Sequence, residues 1–301
     1  MDVKKVIPAV LAVGIVVLAA LLFLLQPQEV IQEPAQIEPV VEEVIEAPQA
    51  TQSTIGISVE GRSIEAYTFG NGEKNLLFVG GIHGGYEWNS VLLAYEFIDR
   101  FTANPELIPE GIAVHIIPNL NPDAVYKVTG VTGRFTQSDI IPTVDQATAR
   151  FNANGVDLNR NFDCKWQPES SWRGQTVSAG SFAFSEPEAV ALRNYVLQTQ
   201  PTMVAFWHSQ ANNVYASECE AGVLPETLLV MNTYANAAGY GAVASFDAYP
   251  VTGDAEGWLA SIDIPAVTVE LSSHESLDLV QNIAGVEALL VHYGTQASLA
   301  R

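Results

Sequence analysis

The chain has 301 residues and a formal net charge of −21, with 48% hydrophobic and 16% charged residues. So many acids over so few cations exclude a nucleic-acid binder, because phosphate contacts need clustered Lys and Arg. The length permits one domain with a substantial core once about fifty N-terminal residues of different character are set aside.

Residues 6–25 carry no charge. At ~1.5 Å rise per residue they would span ~30 Å as a helix, one bilayer core. Lys4 and Lys5 precede the run and the next basic residue is Arg62. This asymmetry predicts a cytoplasmic stub and transmembrane anchor within 1–25, with everything after it outside. The run ends in LLFLLQPQEV, which offers no small-x-small cleavage site, and no Cys follows for lipid attachment. Residues 26–53 are rich in Pro, Glu, Gln and Val and read as a stiff, extended linker. Residues 54–301 form the globular segment. Seven acids and two lysines precede Thr54, which leaves −16 on that segment; its only lysines are Lys74, Lys127 and Lys165. An acidic soluble surface, a salty habitat and cationic substrates all fit this balance.

Residues 54–59 and 63–69 alternate as an antiparallel pair around a Glu60-Gly61 turn. Residues 75–79 (NLLFV) are a buried strand ending at Gly80-Gly81. A helical stripe covers 87–101. Residues 112–117 form a strand closed by Pro118. Ser185 opens a helix through a Ser-x-x-Glu box with Glu188, running to about 197. Residues 203–207 are a strand that hands over His208. A helix over 225–238 stops at Gly239. Residues 266–271 are a strand, and a helix over 276–293 closes the chain. Apolar strands alternating with helices predict an α/β domain with a mixed, largely parallel central sheet flanked by helices. Ligand sites of such sheets lie at the carboxyl ends of strands, where His83, His208 and Glu270 fall.

His83 and Glu87 bracket Gly-Gly-Tyr in a strand-to-helix turn, whose glycines let both side chains face one point. His208 closes the set from about 120 residues away. Two His, one Glu and an open position make a catalytic zinc site, with one Zn2+ per chain. His115 is expected in the core, His292 at a surface or packing position, and His274 near the site in a structural role. Cys164 and Cys219 both fall near the site. An oxidising compartment would permit a bridge between them; two separate buried thiols are the alternative.

The order of the His-Glu pair, Asp-Leu-Asn-Arg-Asn-Phe, His-Ser and Val-Glu-Leu resembles the zinc metallocarboxypeptidases of the carboxypeptidase A type, from about Thr54 onward. The resemblance implies zinc held by His83, Glu87 and His208. It implies that Glu270 is the general base on a zinc-activated water, a role suited to a carboxylate whose pKa burial raises. It makes Arg150 the group that stabilises the oxyanion, with Arg134 a weaker rival. Asn159 and Arg160 resemble the pair that grips a terminal carboxylate. Asp157 matches the acid that orients a zinc-bound His, here His83. Tyr249 falls where the family has a tyrosine that closes over the carboxylate. Glu256 matches the floor of the pocket for the last side chain, where an acid implies basic ends.

Two features depart from the family pattern. His83-x-x-x-Glu87 has one residue more than His-x-x-Glu, an excess that a Gly-Gly loop can absorb. The family's NPDG becomes Asn121-Pro122-Asp123-Ala124, so that turn is expected to differ. The implied activity is removal of a C-terminal residue from extracytoplasmic peptides, with a preference for basic ends. The alternatives are a cell-wall hydrolase acting on the γ-D-glutamyl–diaminopimelate bond of peptidoglycan stem peptides, and an inert binding module on a stalk. The expected partners are a peptide substrate and, through the N-terminal helix, a membrane, but no nucleic acid.

Overall fold

The computed structural model describes residues 50–247 and 249–299. The expected anchor over 6–25, and the linker up to residue 49, lie outside the described residues. Among the described residues no helix is long and apolar enough to cross a membrane.

An eight-stranded mixed sheet forms the centre. Its strands are β1 (Thr51–Ile57), β2 (Ser63–Gly70), β3 (Lys74–Val79), β4 (Ile112–Ile117), β7 (Met203–Ser209), β8 (Asn213–Ala216), β11 (Gly241–Val243) and β12 (Ala266–Leu271). Their order across the sheet is β1-β2-β4-β3-β7-β12-β8-β11. The four middle strands β4, β3, β7 and β12 run parallel. The antiparallel pairings are β1 with β2, β2 with β4, and β12 with β8. β1 begins at Thr51, inside the stretch read as linker: β-branched Thr51 and Thr54 pair with Thr68 and Glu65 of β2, and such residues fit a pleated surface. Two small hairpins lie outside the sheet: β5 (Glu169–Trp172) with β6 (Gln175–Ser178), and β9 (Glu218–Cys219) with β10 (Gly222–Val223).

Strand alternation sorts side chains to two apolar layers. Leu76, Phe78, Met203, Ala205, Trp207, Val267 and Val269 face one layer, covered by α1 (Trp88–Ala103), α4 (Pro225–Ala238) and α6 (Leu279–Leu299). Leu77, Val79, Val204, Phe206 and Ala266 face the other, covered by α3 (Pro187–Thr199) and α5 (Ala255–Ser261). Continuing the second alternation, Val204-Phe206 leads to His208 and Ala266-Thr268 leads to Glu270. Trp207 braces this strand end from the other side. Its ring stacks on Phe97 at 5.1 Å and on Phe78 at 5.3 Å, and its Nε1 donates to Tyr234 Oη.

Three elements differ from the sequence expectation. The third helix starts at Pro187 rather than Ser185, and no side chain caps it. Ser185 Oγ instead accepts from Asn161 Nδ2 and donates to Glu186, while Glu188 accepts from the Val59 amide and Asn152. The closing helix starts at Leu279, because Asp278 spends its carboxylate on Ser272 and Ser276 in the turn before it. The NPDA segment opens a helix, α2 (Pro122–Thr129), with the Asn121 side chain accepting from the Ala124 amide. Cys164 and Cys219 form a disulfide.

Candidate metal centre

The loop after β3 carries His83 and then a 3-10 turn, Gly84–Glu87, that feeds α1. Packing explains its glycines. A Cβ on Gly84 would lie 2.4 Å from Ala124 Cβ, and one on Gly85 would lie 2.5 Å from a Val128 methyl. Gly84 also has φ +45°, which side chains disfavour. The alanine that replaces the family's glycine therefore packs where Gly84 has no side chain, and the two departures from the pattern meet in space. The extra residue between His83 and Glu87 is taken up in the 3-10 turn.

His83, Glu87 and His208 are each 3% exposed. One ligand atom from each lies within 4.8 Å of the others, the only such cluster among the described residues. His208 Nδ1 lies 3.0 Å from Glu87 Oε2, and the two imidazoles meet edge-on with centroids 4.9 Å apart. β12 and β7 pair in parallel with Glu270 opposite His208. Neighbouring strands lie ~4.8 Å apart, so the two side chains stand side by side on one face.

Electrostatics fit a cation. His83 Nδ1, His208 Nε2 and Glu270 Oε2 are buried without a hydrogen-bond partner; the two ring nitrogens face the carboxylates of Asp157 and Glu256, and the Glu270 oxygen is left in a costly state for a polar atom unless an ion or water satisfies it. Burial, then Arg150 and His208, push His83 well below its usual pKa, which leaves the neutral ring that ligation requires. Burial opposes charge on His208, but Glu87 and Glu256 outweigh it and raise its pKa well above normal. Burial and then Glu87 raise Glu270 to about 7.

Asp157 joins the two halves of the site. It is fully buried; Oδ2 accepts from Arg150 Nε at 2.9 Å, Oδ1 accepts from the Asn159 amide at 3.2 Å, and Oδ1 lies 3.6 Å from His83 Nδ1. Arg150 Nη1 reaches to 3.7 Å from Glu87, and the guanidinium lies over the Trp172 ring at 4.7 Å. Asn159 Oδ1 accepts from the Ala255 amide at 2.8 Å. Arg160 donates to the carbonyls of Asn159 and Ser171, and its buried Nε has no partner. Arg134 is spent on Asp99 and the Tyr95 carbonyl, away from the cluster. Tyr249 packs its ring on Phe246 at 4.8 Å, and Phe246 meets Tyr215; no contact joins Tyr249 to the metal cluster among the described residues. Glu256 is buried and lies against His208, with Oε1 3.2 Å from Nε2.

Sequence reasoning missed an aromatic and basic rim. Tyr86, inside the HGGYE segment, accepts from Arg173 at 3.3 Å, lies 3.2 Å from His274 Nε2, and meets Trp172 edge-on at 5.1 Å. His274 Nδ1 bonds Ser209 Oγ, directly after His208. Trp172 and Arg173 sit at the tip of the β5–β6 hairpin, whose Arg-Gly turn was the available signal. His115 is buried in β4 between Tyr195 and Asn75, and His292 faces Glu226 at 3.7 Å.

Residues 37–283 match the family model described as zinc carboxypeptidase. A gamma-D-glutamyl-L-diamino acid endopeptidase 1 from Lysinibacillus sphaericus is 24% identical over 240 residues, covering 73% of this chain and 60% of that relative. The chain thus spans less than two thirds of that protein's length. Among solved structures, murein-tripeptide amidase MpaA from Escherichia coli O157 superposes with TM-score 0.56 at 24% identity, over 84% of this chain and 96% of that one. Carboxypeptidase A from Helicoverpa armigera gives TM-score 0.61 at 20% identity, over 84% and 69%. The two structures show the shared fold.

Proposed function

The chain belongs to the zinc carboxypeptidase family, and on that premise we propose that it is a zinc-dependent peptidase that removes the C-terminal residue of extracytoplasmic peptides. The observation that carries this reading is the convergence of His83, Glu87 and His208 within 4.8 Å, with Glu270 across the strand pair from His208. Zinc, when bound, supplies Lewis acidity: it eases deprotonation of a water and polarises an acyl oxygen.

The chain's own residues do the rest. Glu270 takes the proton of the attacking water and delivers it to the leaving amine; a carboxylate pushed up to about 7 is suited to both transfers. Arg150, fixed by Asp157 and Trp172, donates to the oxygen that gains charge in the transition state. Arg160 and Asn159 hold the substrate's terminal carboxylate. No protein carboxylate lies within ion-pair distance of Arg160 among the described residues, so a ligand's carboxylate would complete it. The basic-end preference is not carried forward, since Glu256 is engaged with Thr268 and His208.

A second reading, hydrolysis of peptidoglycan stem peptides at the γ-D-glutamyl–diaminopimelate bond, is favoured by Arg173. It stands exposed at the rim, bonded only to Tyr86, with no carboxylate partner among the described residues. A second free guanidinium suits a substrate with a second carboxylate, as a γ-linked glutamyl residue has. The relatives named for γ-D-glutamyl and murein substrates point the same way. We place the domain outside a membrane, tethered through residues 6–25. The uncharged run with Lys4 and Lys5 before it supports this topology, and so does the Cys164–Cys219 disulfide, a bond that persists in oxidising compartments.

The test compares blocked peptides ending in Phe, Lys or Arg with a γ-D-glutamyl–diaminopimelate tripeptide, each with and without chelator. Chelator-sensitive hydrolysis of the ordinary peptides supports the first reading. Faster cleavage of the tripeptide, lost selectively in Arg173→Ala, supports the second. A zinc-loaded sample that cleaves neither would refute both.

A further inference from the structure

The start of α5 is pinned twice. Asn159 Oδ1 accepts from the Ala255 amide at 2.8 Å, and the capping Asp254 accepts from the Gly257 amide at 2.7 Å. The chain leading into it is held as closely: Gly253 donates to the Cys164 carbonyl and accepts from the Phe162 amide. A Cβ on Gly253 would lie 2.1 Å from the Arg160 carbonyl. The helix therefore has little freedom to shift, and its second residue, Glu256, points onto the sheet. There Thr268 and His208 present side chains on the same face of neighbouring strands. Thr268 Oγ1 donates to Glu256 Oε1 at 2.9 Å, and His208 Nε2 lies 3.2 Å from that same oxygen.

His208 thus faces a carboxylate at each nitrogen. Nδ1 faces Glu87, within the ligand cluster, at 3.0 Å, and Nε2 faces Glu256. A ligating imidazole uses one nitrogen for the metal and donates the other N–H to a carboxylate or carbonyl, which fixes the tautomer and ring plane and raises ligand basicity. Asp157 faces the other ligand, with its Oδ1 3.6 Å from His83 Nδ1. We propose that Glu256, supported by Thr268, is the positioning residue for His208, so that this acid holds the metal ligand and does not select the substrate's last side chain. The inference rests on the zinc reading of the cluster. Thr268 holds Oε1 at 2.9 Å with His208 Nε2 3.2 Å away, the orientation that a positioning role requires.

The experiment measures zinc affinity by chelator competition for wild type, Glu256→Gln and Thr268→Val. It also measures kcat/KM for peptides ending in Lys and in Phe. Glu256→Gln keeps the shape and removes the charge. It should weaken zinc about 10- to 100-fold and shift the ligand-field spectrum of the cobalt-substituted protein. The Lys-to-Phe ratio of kcat/KM should stay within about twofold, less than the ~10-fold that 1.4 kcal/mol of discrimination would give. Thr268→Val, which keeps the carboxylate, should lower zinc affinity less and in the same direction, and it serves if Glu256→Gln fails to fold. If wild type binds zinc and both variants match it, the positioning role is wrong. A tenfold change in the Lys-to-Phe ratio at intact zinc affinity would make Glu256 a specificity acid instead. A wild type that takes up no zinc would overturn the zinc reading itself.

Discussion

Asp157→Asn is the most informative single change, because one fully buried carboxylate holds Arg150, the proposed oxyanion group, and faces His83, a proposed metal ligand. Asparagine preserves volume and can still accept from the Asn159 amide, so packing is nearly unchanged. What is lost is the charge 2.9 Å from Arg150 Nε and 3.6 Å from His83 Nδ1. Arg150 is 4% exposed, and its next carboxylate is Glu87 at 3.7 Å, itself a proposed metal ligand. Removing one partner of a buried pair costs ~3–5 kcal/mol, since the other charge stays buried. An exposed pair is worth ~0–1 kcal/mol. We therefore expect Asp157→Asn to lose about 3 kcal/mol in urea unfolding of the metal-free protein. Zinc affinity should fall about 10- to 100-fold through the loosened His83. Asp99→Asn, which breaks the exposed pair with Arg134, is the control and should cost less than about 1 kcal/mol. A double-mutant cycle with Arg150→Met should return a coupling of about 2 kcal/mol. An Asp157→Asn protein within about 0.5 kcal/mol of wild type, with unchanged zinc affinity, would refute this reasoning.

Two further predictions follow from the same chemistry. Glu270→Gln should retain zinc and lose about 100-fold or more in kcat, the usual worth of a general base. The acidic limb of kcat/KM should lie at or below about 7, lower with zinc bound since a cation favours the carboxylate, and should vanish from the variant's residual activity; a variant with wild-type turnover removes Glu270 from the mechanism. Burial lowers His115 to about 4, against 6.5 unfolded, so protonation favours the unfolded chain. Its contribution is intact above pH 6.5 and is lost as pH falls towards 4, by about 3 kcal/mol. His115→Gln should flatten the stability–pH curve in that window, and an identical slope in both proteins would contradict the assignment.

The sheet centre was legible because its strands are buried on both faces and written as apolar runs. β4 over Ile112–Ile117 and β12 over Ala266–Leu271 have the bounds that the runs predict, as does α4 with its Gly239 stop. The edge was not legible. β8 and β11, four and three residues long, are too short to stand out as strands, and β8 takes its place by pairing with β12 and β11. The Ser185 box misled because a local motif cannot reveal that Asn161, from a distant segment, occupies the Ser185 hydroxyl. In the site, ligand identities were readable from residue type at strand ends. Directions were not: the resemblance put Glu256 on the pocket floor but could not say that its carboxylate turns towards His208. The Trp172–Arg173 hairpin escaped because its contacts with Arg150 and Tyr86 are all tertiary.

The convergence of His83, Glu87 and His208 on one divalent ion is tested most directly by zinc analysis of purified wild type and His208→Ala, both checked for folding by circular dichroism. One zinc per wild-type chain, and none retained by the folded variant after dialysis, is the expected result. A folded His208→Ala protein that still holds one zinc, or an active wild type free of metal, would contradict it.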